Sequence, residues 1–296
     1  MAQRSVSMHQ EKIAFIGTGV MGASIVKHLL KASYDVTIFT RTKSKADSLV
    51  EMGAKWADTV GDAVKGADIV FTMIGMPSDV EEVYFSEGGI FANGHHSQIV
   101  VDMTTSSPDL AVKIAEKAEQ LHMKSLDAPV SGGDVGARNG TLSIMCGGEK
   151  DLFDRLLPVL SVFGNQIIYQ GAAGSGQHTK MCNQIIVAGN MIGACESLSY
   201  AMKSGLNPDT MLQSVVSGAA GSFCLSNLGP RIIEGDYEPG FFVKHFVKDL
   251  NIALQESERL NLNLPGLKLA RQTYSELLEQ GYGEKGTQVL IKHYID

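Results

Sequence analysis

Short apolar runs alternate with amphipathic stretches over the first 170 or so residues, and beyond them only helical periodicity remains. Strand-length runs occur at Lys12–Ile16, Asp35–Phe39, Asp68–Met73, Gln98–Asp102 and Lys124–Asp127, with helical spacing over Met21–Ala32 and Lys43–Met52. Apolar strands separated by helices predict a parallel sheet covered on both faces. From Gly176 to about Lys203 the chain is apolar almost throughout, interrupted by small residues such as Ala188, Gly189, Gly193 and Ala194. That pattern predicts one long helix buried on most sides. Gly205, Asn207 and Pro208 then supply a stop and a restart. The change of pattern predicts two domains: an α/β domain with a parallel-dominated sheet over 11–172 and an all-helical domain over 173–296. Residues 1–10 are expected to form a frayed tail.

Composition narrows the function classes. A chain of 296 residues with 44% hydrophobic content can bury substantial cores. Its net charge of −7, without a block of Lys or Arg, offers no broad basic face to nucleic acid or to an anionic membrane. A small-molecule partner is the better expectation. Cys146, Cys182, Cys195 and Cys224 share no CxxC spacing, so neither a disulfide framework nor a zinc site is expected, and a reducing cytoplasm fits. The N-terminus has no apolar run of signal-peptide length, and no segment is read as a membrane span. The eight histidines form no HxxxH pair, and no metal is expected.

GTGVMG, Gly17 to Gly22, fills the GxGxxG template directly after the strand KIAFI and before a helix. Gly17 permits the tight turn, Gly19 lets backbone amides approach a pyrophosphate, and Gly22 allows close packing of helix on strand. Val20 and Met21 within this motif, and Met73 at the end of a later strand, are counted as cofactor contacts. The alternative is an ordinary glycine turn. At the end of the second strand the sequence reads FTRTKSK. Thr40 stands where a carboxylate would bond the ribose 2′-hydroxyl of NAD, while Arg41, Thr42 and Lys43 suit a 2′-phosphate. NADP is therefore favoured, with NAD possible; a solvated helix start at Arg41 and Lys43 would weaken the preference.

GTGVMG, DMTTSSP, DAPVSGGDVGARNGTLSIMCGG, GSGQHTKMCNQ and FVKDLNIAL follow in the order and spacing of the β-hydroxyacid dehydrogenase family. The resemblance runs from Lys12 to about Lys292. The chain resembles the short members, which include 3-hydroxyisobutyrate dehydrogenases and the tartronate, succinic and glyoxylic semialdehyde reductases. The likeness implies a Rossmann domain, an all-helical domain of the 6-phosphogluconate dehydrogenase type in short form, and an active site in the cleft between them. It further implies a homodimer or homotetramer.

Ser131, Gly132 and Gly133 follow a strand end, where a hydroxyl and bare amides can turn toward a carboxylate; the family holds the substrate carboxylate there. Thr105 in DMTTSSP matches the family's hydroxyl residue near nicotinamide and substrate, with helix capping by Thr105 or Ser106 as the alternative. Lys180 matches the catalytic acid/base. Burial near Lys248 would depress its pKa, whereas an ordinary lysine on an apolar helix snorkels to water. Asn183 and Gln184 share the helical face of Lys180 and are candidate substrate ligands, although the family often has asparagine where Gln184 stands. Lys248 matches a lysine that closes over cofactor and substrate. Asp249 beside it is a candidate tether, a solvated ion pair being the alternative, and Phe242 is a candidate pocket wall.

Gly283–Gln288 resembles a family segment near cofactor or substrate. Arg231, Arg271 and Lys244 are candidate partners for a second carboxylate. The expected reaction interconverts a short β-hydroxy acid and its semialdehyde. Imine reduction and a non-catalytic, cofactor-bound scaffold are the alternatives; relatives of those kinds usually lack the lysine that Lys180 supplies.

Overall fold

Alternation of side chains along each strand decides where the core of the first unit lies. In the computed structural model, which describes residues 11–295, Ile13 and Phe15 of β1 (Lys12–Ile16) enter one apolar cluster and Ala14 and Ile16 enter another. The expected tail over residues 1–10 lies outside the described residues. The same split recurs in β4 (Ile69–Thr72) and β5 (Ile99–Asp102), so both faces of the sheet are covered. Such continuously apolar strands are what a parallel, doubly covered sheet requires.

The remaining strands are β2 (Asp35–Phe39), β3 (Lys55–Trp56), β6 (Lys124–Asp127), β7 (Val130–Ser131), β8 (Leu142–Gly148) and β9 (Gly164–Gly171). They are ordered β3-β2-β1-β4-β5-β6-β8-β7, with β9 on β8. Strands β3 to β6 run parallel; β8 reverses against β6, and β9 is parallel to β8. The predicted helix at Lys43–Met52 is broken instead, a 3-10 turn over Lys43–Lys45 followed by a short helix Asp47–Glu51.

The chain divides into two compact units between Thr179 and Lys180. The second is helical and centres on the helices Val243–Arg259 and Pro265–Glu279, with Phe246, Leu250, Ala270 and Tyr274 in its core. The long helix Ser175–Lys203 contributes Met181, Ala188, Met191, Cys195 and Leu198 to that core. This helix has an 18-residue window of mean hydropathy 1.2, so by length and composition alone it passes as a membrane span. Its apolar content has a second explanation, the packing just described.

Candidate active site

The fingerprint loop is built from backbone constraints. Gly17 has φ +99°, and a Cβ there would stand 2.3 Å from Met73 O. A Cβ on Gly22 would stand 2.0 Å from Gly17 O, so the third glycine is fixed by close approach. Gly19 is different: an added Cβ would meet nothing within 4 Å, and Gly19 caps the helix Val20–Lys31 without any side-chain hydrogen bond. Among the described residues, the amides of that helix end, including those of Val20 and Met21, thus have no capping side chain. A pyrophosphate fits such a cradle, because an anion satisfies uncapped amides and the helix dipole together. Beyond β2, Arg41 is largely exposed and lies 3.4 Å from Asp79, while the Lys43 ammonium sits 5.4 Å over the Trp56 ring. Thr40 is half-buried and Thr42 exposed.

Loops beyond the next strands converge through buried polar atoms. Asp102 ends β5, and its Oδ1 accepts from Thr72 Oγ1 at 2.8 Å and from Thr104 N at 3.0 Å. Ile74 N donates to Thr104 Oγ1 at 3.0 Å. The helix Pro108–Gln120 is capped by Ser107, which accepts from Leu110 N, so neither Thr105 nor Ser106 is the cap. In the neighbouring loop Ser131 ends β7, followed by Gly132 at φ +123° and Gly133 at φ +61°, conformations open chiefly to glycine. A Cβ on Gly133 would meet nothing within 4 Å.

Asp127, at the end of β6, turns its carboxylate onto the start of the long helix. Oδ1 accepts from Gly174 N at 2.8 Å and Oδ2 from Gln177 N at 2.9 Å. Burial outweighs these bonds and pushes its pKa up to about 6. Two glycines permit the approach: a Cβ on Gly147 would stand 2.5 Å from Asp127 Oδ1, and one on Gly176 would stand 2.4 Å from Met145 O.

In the second unit Lys180 is only 7% exposed, so it does not snorkel. Desolvation pulls its pKa down to about 8, with Asp249 opposing and Lys248 reinforcing the shift. Lys248 and Asp249 are themselves buried, which excludes a solvated pair; Lys248 Nζ lies 2.9 Å from Asp249 Oδ1 as an ion contact. Asp249 Oδ2 accepts from Gln184 Nε2 at 2.6 Å, and Gln184 Oε1 accepts from Asn183 Nδ2 at 2.7 Å. Both ends of the Gln184 amide therefore have protein partners. Phe242 caps the helix Val243–Arg259, bridges to Gly286 and packs edge-on against His245. Gln288 Nε2 donates to the carbonyls of Asp236 and Glu238, and Tyr274 donates to Thr287 O. Arg231 pairs with Asp236, Lys244 with Glu284, and Arg271 donates to Asn251.

Residues 12–171 match the model for the NAD binding domain of 6-phosphogluconate dehydrogenase, and 174–294 match that for NAD-binding of NADP-dependent 3-hydroxyisobutyrate dehydrogenase. The chain belongs to the β-hydroxyacid dehydrogenase family. An uncharacterized oxidoreductase of Bacillus subtilis is 54% identical over 286 residues, 97% of this chain and 99% of the relative. The 2-hydroxy-3-oxopropionate reductase of Escherichia coli is 36% identical over 281 residues, 95% of this chain and 96% of that one. A solved structure of 3-hydroxyisobutyrate dehydrogenase from Salmonella typhimurium matches with a TM-score of 0.88 at 26% identity, covering 96% of this chain and all of that one.

As a member of this family the chain is an NAD(P)-dependent oxidoreductase of the 3-hydroxyisobutyrate dehydrogenase type, and its small-molecule chemistry uses a Rossmann domain. Asp127 and Gln177 were missed as functional candidates by the sequence reading, although both lie inside quoted motifs. Their partners are up to 73 residues distant in the chain, and no local periodicity reports them.

Proposed function

We propose that this dehydrogenase reduces a short semialdehyde to its β-hydroxy acid with NADPH, and that Lys180 is the proton donor. The observation that carries the reading is a buried lysine whose pKa is drawn down to about 8, so that it holds either protonation state near neutral pH. The dinucleotide is held by the fingerprint segment Gly17–Gly22, by Met73, Thr105 and Lys248, and by Thr40, Arg41 and Thr42 at its 2′-phosphate. When bound, the nicotinamide supplies or takes up a hydride. Ser131, Gly132 and Gly133 grip the substrate carboxylate. The Lys180 ammonium gives its proton to the carbonyl oxygen, or as neutral amine takes it back from the hydroxyl in the oxidative direction. Asn183 donates to that oxygen, and Gln184, already bonded at both ends, holds Asn183 and Asp249 in place. The acid and amide partners of Arg231, Arg271 and Lys244 favour a substrate with a single carboxylate.

NADPH and NADH oxidation by purified protein on glyoxylate and on succinic, tartronic and methylmalonic semialdehydes tests the reading. Turnover of at least one, faster with NADPH, is expected; silence across the panel with both cofactors would remove it in favour of an imine substrate or a scaffold. Arg41→Ala tests the cofactor argument. Loss of a charge-assisted phosphate contact is expected to weaken NADPH binding by about tenfold and leave NADH within twofold. Equal losses for both cofactors would refute the assignment.

The long helix exposes Ile186 at 62% and Tyr200 at 74%, with exposed Gly189 and Gly193 on the same stripe. This supports a homodimer or homotetramer joined through the helical unit, which light scattering on eluting protein measures directly. The cytoplasm is the proposed compartment, consistent with four free cysteines.

A further inference from the structure

Two buried hydrogen bonds tie the Thr105 turn to the start of the long helix, and both come from one side chain. Gln177 is fully buried. Its Nε2 donates to Thr104 O at 2.7 Å and its Oε1 accepts from Ser106 N at 2.9 Å. The amide thus grips the backbone on either side of Thr105. The other end of the residue is equally fixed, since Gln177 N donates to Asp127 Oδ2. Thr104 is anchored to Asp102 and Ile74, whereas the buried Ser106 hydroxyl has no hydrogen-bond partner among the described residues. Removing the Gln177 amide would leave Thr104 O and Ser106 N without these bonds, beside a hydroxyl already unsatisfied.

We propose that Gln177 is a positioning residue of the reaction, which fixes the Thr105 turn against the first turn of the long helix through its side-chain amide. The proposal rests on the dehydrogenase reading above, in which Thr105 faces nicotinamide and substrate. Gln177 itself touches neither. Its double grip sets where the Thr105 hydroxyl lies, and Asp127 sets where Gln177 lies. Misplacing a reacting group by about 1 Å can cost on the order of 10²-fold in rate.

Gln177→Met and Gln177→Glu in the full chain separate positioning from plain stability. Methionine keeps the volume and removes both bonds. Its kcat is expected to fall at least tenfold, with the NADPH Kd, read by cofactor fluorescence, unchanged within twofold. Deuterium exchange at residues 104–106 is expected to rise. Glutamate rescues conditionally. A protonated carboxyl can donate to Thr104 O while accepting from Ser106 N, but a carboxylate must face a carbonyl oxygen. Asp127, which accepts from Gln177 N, and Asp102, which accepts from Thr104 N, are acidic groups bonded next to this position, and a negative charge on either favours the protonated form. The Glu variant is therefore expected to regain kcat as pH falls, relative to wild type and to the Met variant, which share the Asp127 ionisation.

A Met variant with kcat within twofold of wild type, or a Glu variant that tracks the Met variant at every pH, would overturn the proposal. Unchanged exchange at residues 104–106 in the Met variant would overturn it independently of turnover. Failure of the dehydrogenase reading is visible separately, as a wild-type enzyme that consumes no cofactor on any semialdehyde.

Discussion

Replacing Lys180 by methionine is expected to lower kcat by roughly 10²- to 10⁴-fold, the usual contribution of a positioned general acid, while NADPH still binds within a fewfold of wild type. The pH dependence has opposite signs in the two directions. Reduction needs the ammonium, so its kcat/KM should hold below about pH 8 and decline tenfold per pH unit above. Oxidation needs the neutral amine, so its kcat/KM should rise with pH and level off above about 8. Both limbs should vanish in the Met variant. Stability should move the other way. The folded pKa of about 8 lies below the ordinary lysine value of 10.5, so the folded state pays for the ammonium at pH values below 8, and that penalty fades as pH rises toward 10.5. Removing the charge should therefore stabilise the protein near neutral pH, by on the order of 1 to 3 kcal/mol. Thermal melts at pH 7 and pH 10 would show the gain at the lower pH and little at the higher one.

Gly176→Ala is the second large effect. The added methyl would stand 2.4 Å from Met145 O, 2.7 Å from Asp127 Oδ2 and 2.8 Å from Asp127 O, and two of these are backbone atoms that no rotamer change can move. The helix start must shift away from β6 and β8. A cost of about 1–3 kcal/mol is typical for forcing volume into a packed site, and the bonds from Gly174 N and Gln177 N to Asp127 would be strained or lost. The expected result is a lower Tm together with a fall in kcat. Gly266→Ala is the control: it lies in the helix Pro265–Glu279, its Cβ would meet nothing within 4 Å, and it should leave both quantities nearly unchanged. Equal behaviour of the two variants would refute the close-approach argument.

Much of the first unit was legible because its information is local. Continuous apolar runs such as IVFT and IVVD report a doubly covered strand, and GTGVMG reports a backbone that must turn tightly and pack closely. The strands β7 to β9 were not foreseen. LSIMCGG is an apolar run like the others, and nothing in its periodicity encodes that it pairs antiparallel with β6. Thr105 and Ser106 looked like caps by residue type, yet the dihedrals and the bond to Leu110 N select Ser107, directly ahead of Pro108. In the candidate site, the position of Lys180 on an apolar helix was readable, but the groups that set its charge were only partly so. Asp249 was noted as a tether to its own helix, whereas the structure joins it to Gln184, 65 residues away. Gln177 and Asp127 escaped notice for the same reason, since long-range hydrogen bonds leave no periodic trace.

The central claim is that the Lys180 amine moves the proton, and chemical rescue tests it most directly. Lys180→Ala should be nearly inactive on whichever semialdehyde wild type reduces, and added small primary amines should restore NADPH oxidation in a saturable way. The restored rate should follow the protonated fraction of each amine as pH is raised. A variant that retains wild-type kcat, or one that no amine rescues although NADPH and substrate still bind it, would contradict the account.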